Sequence, residues 1–350
     1  MAPGGGSGLP GAAGGTTSLL EEWLQKFATD GAQAPVGADP SAKTREIKEK
    51  LKEELKSTWE NLKSRLEGQE AWEIRGLCFD NKEWTEKANS NSGQYVRDLC
   101  TALAEIKYFI SGVWMTRKKA PGTGDNVEIE KGMDDAKIYS RCIVGAVALS
   151  TIYGDHCKLD DVIRTTEKEV DQKLEAHRST GAQLNKCKGI DRNALLLGKS
   201  ILQDEMKNWS QAERQKGMES KGSQGSWKLG KLWYNRVQGV CPQIYKGDGT
   251  KVQEQRKGNA EHMRKFLKVG DDRSITSGQA TVADVLGDDN MKLSADKLTE
   301  VLSKLVGSDG KVDITNMDKL MEQLNKETET TTGKYYIINI LHHECISVLM

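Results

Sequence analysis

No two cysteines in this chain stand in CxxC spacing, and neither sign of charge is in surplus. The first absence removes a zinc knuckle or a thioredoxin-like redox pair. The second follows from Lys+Arg and Asp+Glu at 51 each, which leaves no basic field to hold nucleic acid. Long apolar runs are missing too. The longest, Cys142 to Tyr153 (CIVGAVALSTIY), falls short of the roughly 20 residues a bilayer requires and reads as a buried helix. Tyr335 to Leu341 is shorter still and is interrupted by His342, His343 and Glu344. The chain as given is therefore expected to be soluble, with no membrane segment. The opening MAPGGGSGLPGAAGG lacks both a charged and an apolar region, so it reads as a floppy tail rather than a conventional secretory signal.

Catalytic motifs are equally scarce. Gly122-Thr-Gly and Gly247-Asp-Gly are turn chemistry, without the GxGxxG or GxxxxGK[ST] context of a phosphate site. There is no GxSxG elbow. A calcium loop over Ser308–Ile314 would need oxygens where Leu305, Gly307 and Asn316 stand. His342-His343-Glu344-Cys345 lacks the helical-turn spacing of a metalloprotease. His156 and Cys157 are adjacent, and neighbours on a helix diverge by about 100°, so they do not form a Cys–His couple. Asn208-Trp-Ser is a glycosylation triplet in which Trp209 reads as core. No catalytic residue, metal ligand or cofactor is assigned, and the chain is expected not to be an enzyme.

What is present is helical periodicity. Ser18 and Glu21 form a capping-box pattern ahead of Leu19, Leu20, Trp23, Leu24 and Phe27. After a Gly/Pro/Ala linker, Ile47, Leu51, Leu55, Trp59, Leu62 and Leu66 step by four or three over Ser41–Glu67, one face of a long helix. Glu46 and Lys50 suit an i,i+4 pair, and Gly68 ends the run. Val96, Leu99, Leu103, Ile106, Ile110 and Val113 repeat the spacing within Tyr95–Lys118. Further helices are expected over Asp134–Tyr153, Lys158–Arg178, from a cap at Asp191 to Trp209, near Trp227–Val237, and over Lys251–Val269. Two short ones follow at Ser294–Val306 and Thr315–Asn325, the second opened by a Thr315–Asp318 capping box. No useful strand alternation is visible. The fold class is all-α: an irregular helical bundle plus a small C-terminal helical hairpin.

The expected divisions are a Gly-rich tail (1–17), a cysteine-containing helical domain (18–268), a linker (269–290), the hairpin (291–327) and an irregular or truncated tail (328–350). Trp59, Trp114 and Trp209 sit at core spacing. Trp72, Trp84, Trp227 and Trp233 read as core or as partner anchors. Of seven cysteines, Cys78, Cys100, Cys142, Cys157, Cys187 and Cys241 share one region, with Cys345 far off. Their spacing fits three disulfides, in any of 15 connectivities, as well as it fits six buried thiols.

Several strings resemble one family. Leu19-Leu-Glu-Glu-Trp-Leu-Gln-Lys-Phe27 is similar to the opening of SICA proteins, the schizont-infected-cell agglutination variant antigens of malaria parasites. So are the Cys142–Cys157 string, Leu195-Leu-Leu-Gly-Lys-Ser-Ile-Leu-Gln203 and Gly239-Val-Cys-Pro242. Together they span roughly Leu19 to Lys268. The resemblance implies an N-terminal extracellular, SICA alpha-like module, exported to the infected red-cell surface, with host proteins or antibodies as partners. It also implies disulfides among the six clustered cysteines, because surface display is oxidising. Exposed loops such as Ala120–Lys131 and Lys216–Ser226 would then carry variation. The family's downstream cysteine-rich repeats, spanning helix and cytoplasmic tail have no counterpart in Tyr335–Met350. The alternative is an intracellular helical scaffold that binds partner helices through the Ile47–Leu66 face.

Overall fold

The computed structural model describes residues 19–29, 39–80, 90–118, 124–219, 229, 237–242, 249–270, 280–308 and 312–327. Among these the architecture is helical, with one two-stranded hairpin. Helix α1 (Leu19–Thr29) precedes α2 (Pro40–Glu67). The start of α2 is set by Asp39, whose carboxylate accepts the Ser41 amide at 3.0 Å, and by Pro40 in the first turn. Gly68 stops it, as the sequence predicts. Every member of the Ile47–Leu66 stripe is buried. That face packs inside the molecule, so it is not a surface for partner helices. The expected Glu46–Lys50 pair forms at 2.9 Å.

Helices α3 (Trp72–Phe79) and α4 (Asn91–Ile110) follow. The predicted run to Lys118 stops at Ile110, because Gly112 turns the chain with φ +74°. A Cβ there would lie 2.6 Å from Met133 Cε, so the turn requires glycine. Strands β1 (Val113–Arg117) and β2 (Asp125–Ile129) then pair antiparallel. Part of the expected Ala120–Lys131 loop is thus a strand. Val113, Trp114 and Thr116 favour a pleated surface once the helix is broken.

Helix α5 (Asp135–Ala148) is the hub, capped by the Asp134 carboxylate on the Lys137 amide at 2.8 Å. It packs against α1, α2, α4 and the long α7 (Arg192–Glu219). Its residues from Ile138 to Ala148 are all buried, which explains why the segment is largely apolar, with the Arg141 charge paired to Glu130. Close crossings depend on two glycines. A Cβ on Gly145 would meet Ile110 Cδ1 at 2.5 Å, and one on Gly198 of α7 would meet Ile143 Cγ2 at 2.2 Å. The helix continues as a π-turn (Leu149–Tyr153) before α6 (Leu159–Ala176).

Helix α7 extends ten residues past the predicted end at Trp209, with the Asp191 cap in place on the Ala194 amide at 2.8 Å. Helix α8 (Gly249–Leu267) lies against α6 and α9 (Val282–Gly287). Helix α9 falls within the expected 269–290 linker. Its Thr281–Asp284 capping box is complete, and Val282, Val285 and Leu286 are buried. The C-terminal hairpin is α10 (Ala295–Ser303) and α11 (residues 317–327). Its second helix is entered through Asp313, which accepts both the amide and the hydroxyl of Thr315 at 2.9 and 2.7 Å, in place of the expected Thr315–Asp318 box. Lys48 of α2 donates to Thr299 at 2.9 Å, and Arg192 of α7 to Asn325 at 2.7 Å. One hydrophobic core runs from Leu20 to Leu324.

Candidate functional site

The six clustered cysteines form three disulfides: Cys78–Cys100, Cys142–Cys187 and Cys157–Cys241. Their Cα–Cα distances of 5.7, 5.5 and 5.7 Å lie within the range that a disulfide spans. The first ties α3 to α4. The second ties the centre of α5 to a 3-10 turn (Lys186–Gly189). The third ties the turn after the π-segment to the end of a short helical turn (Gln238–Val240). Sequence separations of 22, 45 and 84 residues correspond to about 3.4, 4.0 and 4.6 kcal/mol of unfolded-chain entropy removed, in the loop-closure treatment. Five of the six cysteines are buried; Cys157 is partly exposed.

Beside the third disulfide, a buried polar knot closes the end of α5. Side chains from distant helices converge on the carbonyls of the π-turn and of the turn that follows it. Arg256 of α8 donates to Ser150 O at 2.5 Å and Thr151 O at 3.2 Å. Arg214 of α7 donates to Ile152 O at 2.8 Å. Asn259 donates to Gly154 O and His156 O at 2.8 and 3.0 Å. Asp155 neutralises the two guanidiniums, at 3.3 Å from Arg214 and 3.4 Å from Arg256. Burial alone would raise the Asp155 carboxyl; Arg214 and Arg256 outweigh it and hold the group well below the usual carboxylate range. His156 is fully buried, and burial pushes it down to about 3, so it is neutral. Its Nδ1 lies 2.5 Å from the Tyr95 hydroxyl, which in turn lies 3.3 Å from Cys241 Sγ. Burial raises the Tyr95 hydroxyl well above its ordinary value.

The outward face is different in character. Among the described residues, Trp72 and Val127 are the exposed large hydrophobic side chains, at 39% and 43%. They belong to one corner. Asp125 of β2 accepts the Trp72 and Glu73 amides at 2.8 and 2.9 Å, capping α3. The Arg117 guanidinium of β1 lies 3.8 Å over the Trp72 ring. Arg65 sits between Trp114 and Phe109 at 4.4 and 5.3 Å and donates to Val113 O at 2.8 Å. Trp72 thus stands outward, whereas Trp59 is core and Trp209 packs edge-on against it at 5.3 Å. Trp84, Trp227, Trp233, Cys345, the Ser18–Glu21 box and the His342–Cys345 run lie outside the described residues or side chains. Of the Lys216–Ser226 loop, Lys216–Glu219 is helical and the remainder is also outside. Asn208-Trp-Ser lies within α7, with Ser210 buried.

A pocket of about 40 Å³ lies among Lys107, Asp171, Asn185, Cys187, Leu267 and Lys268. Lys107 is buried there, donating to Phe266 O and lying 3.4 Å from Asp171. Among the described residues no cluster of three or more His, Cys, Asp or Glu could hold a metal ion, and no helix is long and apolar enough to cross a membrane. The polar knot is what the sequence reading missed. Asp155, Arg214 and the Arg256–Asn259 pair are far apart in sequence, and nothing in the local sequence of any of them marks a buried partner.

Residues 17–209 match the sequence model of the SICA extracellular alpha domain. No curated protein and no solved structure matches the chain.

Proposed function

Because the chain belongs to the SICA family, matched through its extracellular alpha domain over residues 17–209, we propose that it is a display module of a variant antigen, held at the surface of an infected red cell, where it meets host proteins or antibodies. It binds and presents; it does not catalyse. The observation that carries this reading is the set of three disulfides inside a helical frame. Cross-links of this kind form and persist in an oxidising environment. They hold the framework while exposed positions are free to change. The α3–hairpin corner supports the reading further, since Trp72 and Val127 combine exposed apolar surface with the flanking charge of Arg117 and Glu128, a composition suited to protein contact.

The test uses antibodies raised against the oxidised, folded chain on intact infected cells. Staining without permeabilisation is the expected result. Staining that needs permeabilisation refutes surface display. A free-thiol titration of the folded protein adds an independent check: six protected cysteines are expected, and six reactive ones remove the main support.

A further inference from the structure

The three disulfides are not chemically equivalent. Cys78, Cys100, Cys142 and Cys187 are all buried, so neither of their pairs offers a sulfur to solvent-borne reagents. In the third pair one partner, Cys157, is partly exposed while the other, Cys241, is fully buried. Behind the buried sulfur stands the chain of contacts Cys241 Sγ, Tyr95 hydroxyl and His156 Nδ1, with steps of 3.3 and 2.5 Å.

We propose that Cys157–Cys241 is a thiol-exchange site: a low-molecular-weight thiol such as glutathione attacks Cys157, and Cys241 departs as a thiolate received by Tyr95. The attacking thiolate forms a new bond to Cys157 Sγ as the Cys157–Cys241 bond breaks, and the electron pair leaves on Cys241 Sγ. The proton that the attacking thiol gave to solvent is returned to Cys241, so the products are a mixed disulfide on Cys157 and a free Cys241 thiol. No separate oxidant or reductant is consumed.

Two features favour this direction of attack. Exchange needs access to the attacked sulfur and stabilisation of the leaving one, and this pair divides those roles between its two halves. Cys157 supplies the access. Tyr95 supplies the hydrogen bond, and because burial raises its hydroxyl it remains an O–H donor throughout the working range. This alignment requires the His156 proton on Nδ1: the chain then runs imidazole N–H to tyrosine oxygen and tyrosine O–H to sulfur, and the departing charge meets an aligned donor in a dry site. Tyr95 acts as a positioning residue before exchange and as the thiolate's partner after it. The reaction opens the longest covalent loop and leaves the other two closed. It does not depend on where the chain is displayed.

The test exposes the full, oxidised, folded chain to millimolar glutathione near neutral pH, quenches with an alkylating agent at intervals, and maps each cysteine by peptide mass spectrometry. A glutathione adduct on Cys157 with an alkylated Cys241 is expected at least about tenfold sooner than any opening of the other pairs. Tyr95→Phe should slow that opening about tenfold, the scale of a hydrogen bond to a charged group, while leaving the Cys142–Cys187 rate unchanged. Three pairs opening together, an adduct on Cys241 instead of Cys157, or a Tyr95→Phe rate equal to the parent's would each overturn the proposal. The site of the adduct is read on the parent protein alone, so it stands even if the variant folds poorly.

Discussion

Asp155→Asn should be among the most damaging conservative substitutions in the chain. The side chain keeps its shape, loses its charge and turns one accepting oxygen into an NH2 donor that faces the guanidiniums. Arg256, 6% exposed, and Arg214, 15% exposed, would then face a neutral amide. Breaking a buried pair by removing one partner costs about 3–5 kcal/mol, because the remaining charge is left uncompensated. Here Arg256 keeps Asp289 at 3.2 Å, and both arginines keep their π-turn carbonyls, which places the expected loss at the lower end, about 3 kcal/mol. Urea unfolding of the oxidised protein, followed by far-UV circular dichroism, reads this as a midpoint shift on the order of 1 M.

The acid limb supplies a second signature. Asp155 is depressed in the folded state, so its contribution is present above the ordinary carboxylate range and lost as pH falls below it. His156, lowered to about 3, is charged more readily in the unfolded chain, so its contribution is already being lost as pH falls from about 6.5. Asp155→Asn should abolish the first loss and keep the second. A destabilisation under about 1 kcal/mol, or an acid limb unchanged below pH 4, would refute the electrostatic account of the knot.

Gly198→Ala should destabilise by about 1–3 kcal/mol although alanine is the better helix former, because its methyl would meet Ile143 Cγ2 at 2.2 Å; thermal melts of the variant check this. Leu55→Ala, at a fully buried position of α2, should cost about 2–5 kcal/mol by urea titration. Burial lowers Lys107 and Lys199 to about 8, so the unfolded chain holds more protons than the folded one between about pH 8 and 10.5, and stability should rise with pH there. Above about pH 10 the raised tyrosines Tyr95, Tyr139 and Tyr153 reverse the slope, since the unfolded chain ionises first. Urea midpoints at intervals through this range read the rise and its reversal. Replacing each cysteine pair with serine should destabilise in the order of loop length, Cys157–Cys241 most and Cys78–Cys100 least, as measured by equilibrium denaturation; the reverse order would contradict the loop-closure account.

Much of this fold was legible because its helices obey simple periodicity. The Ile47–Leu66 stripe, the Asp191 cap and the Gly68 stop all appear where spacing places them. The β-hairpin was hidden because Val113 continues the three-four rhythm of α4, and five-residue strands give too few alternations to compete with it. Helix α9 was hidden in a polar, Gly-rich stretch, although Thr281 and Asp284 spell its capping box. The cysteine pairing could not be read from spacing at all, since Cα proximity is set by how α3 packs on α4 and by where the turns holding Cys157, Cys187 and Cys241 come to rest. The polar knot was least visible of all. An arginine whose partners are backbone carbonyls over a hundred residues away, as Arg256 is to Ser150, has the same local sequence as one in water.

The second and third cross-links overlap in sequence: Cys157 lies between Cys142 and Cys187, and Cys187 between Cys157 and Cys241. A single backbone cut anywhere from residue 142 to residue 241 therefore separates no fragment, because at least one sulfur bridge always spans the break. A molecule built this way can be nicked by an external protease and still travel as one piece. Its integrity under attack rests on the order in which its bridges interleave as much as on their number.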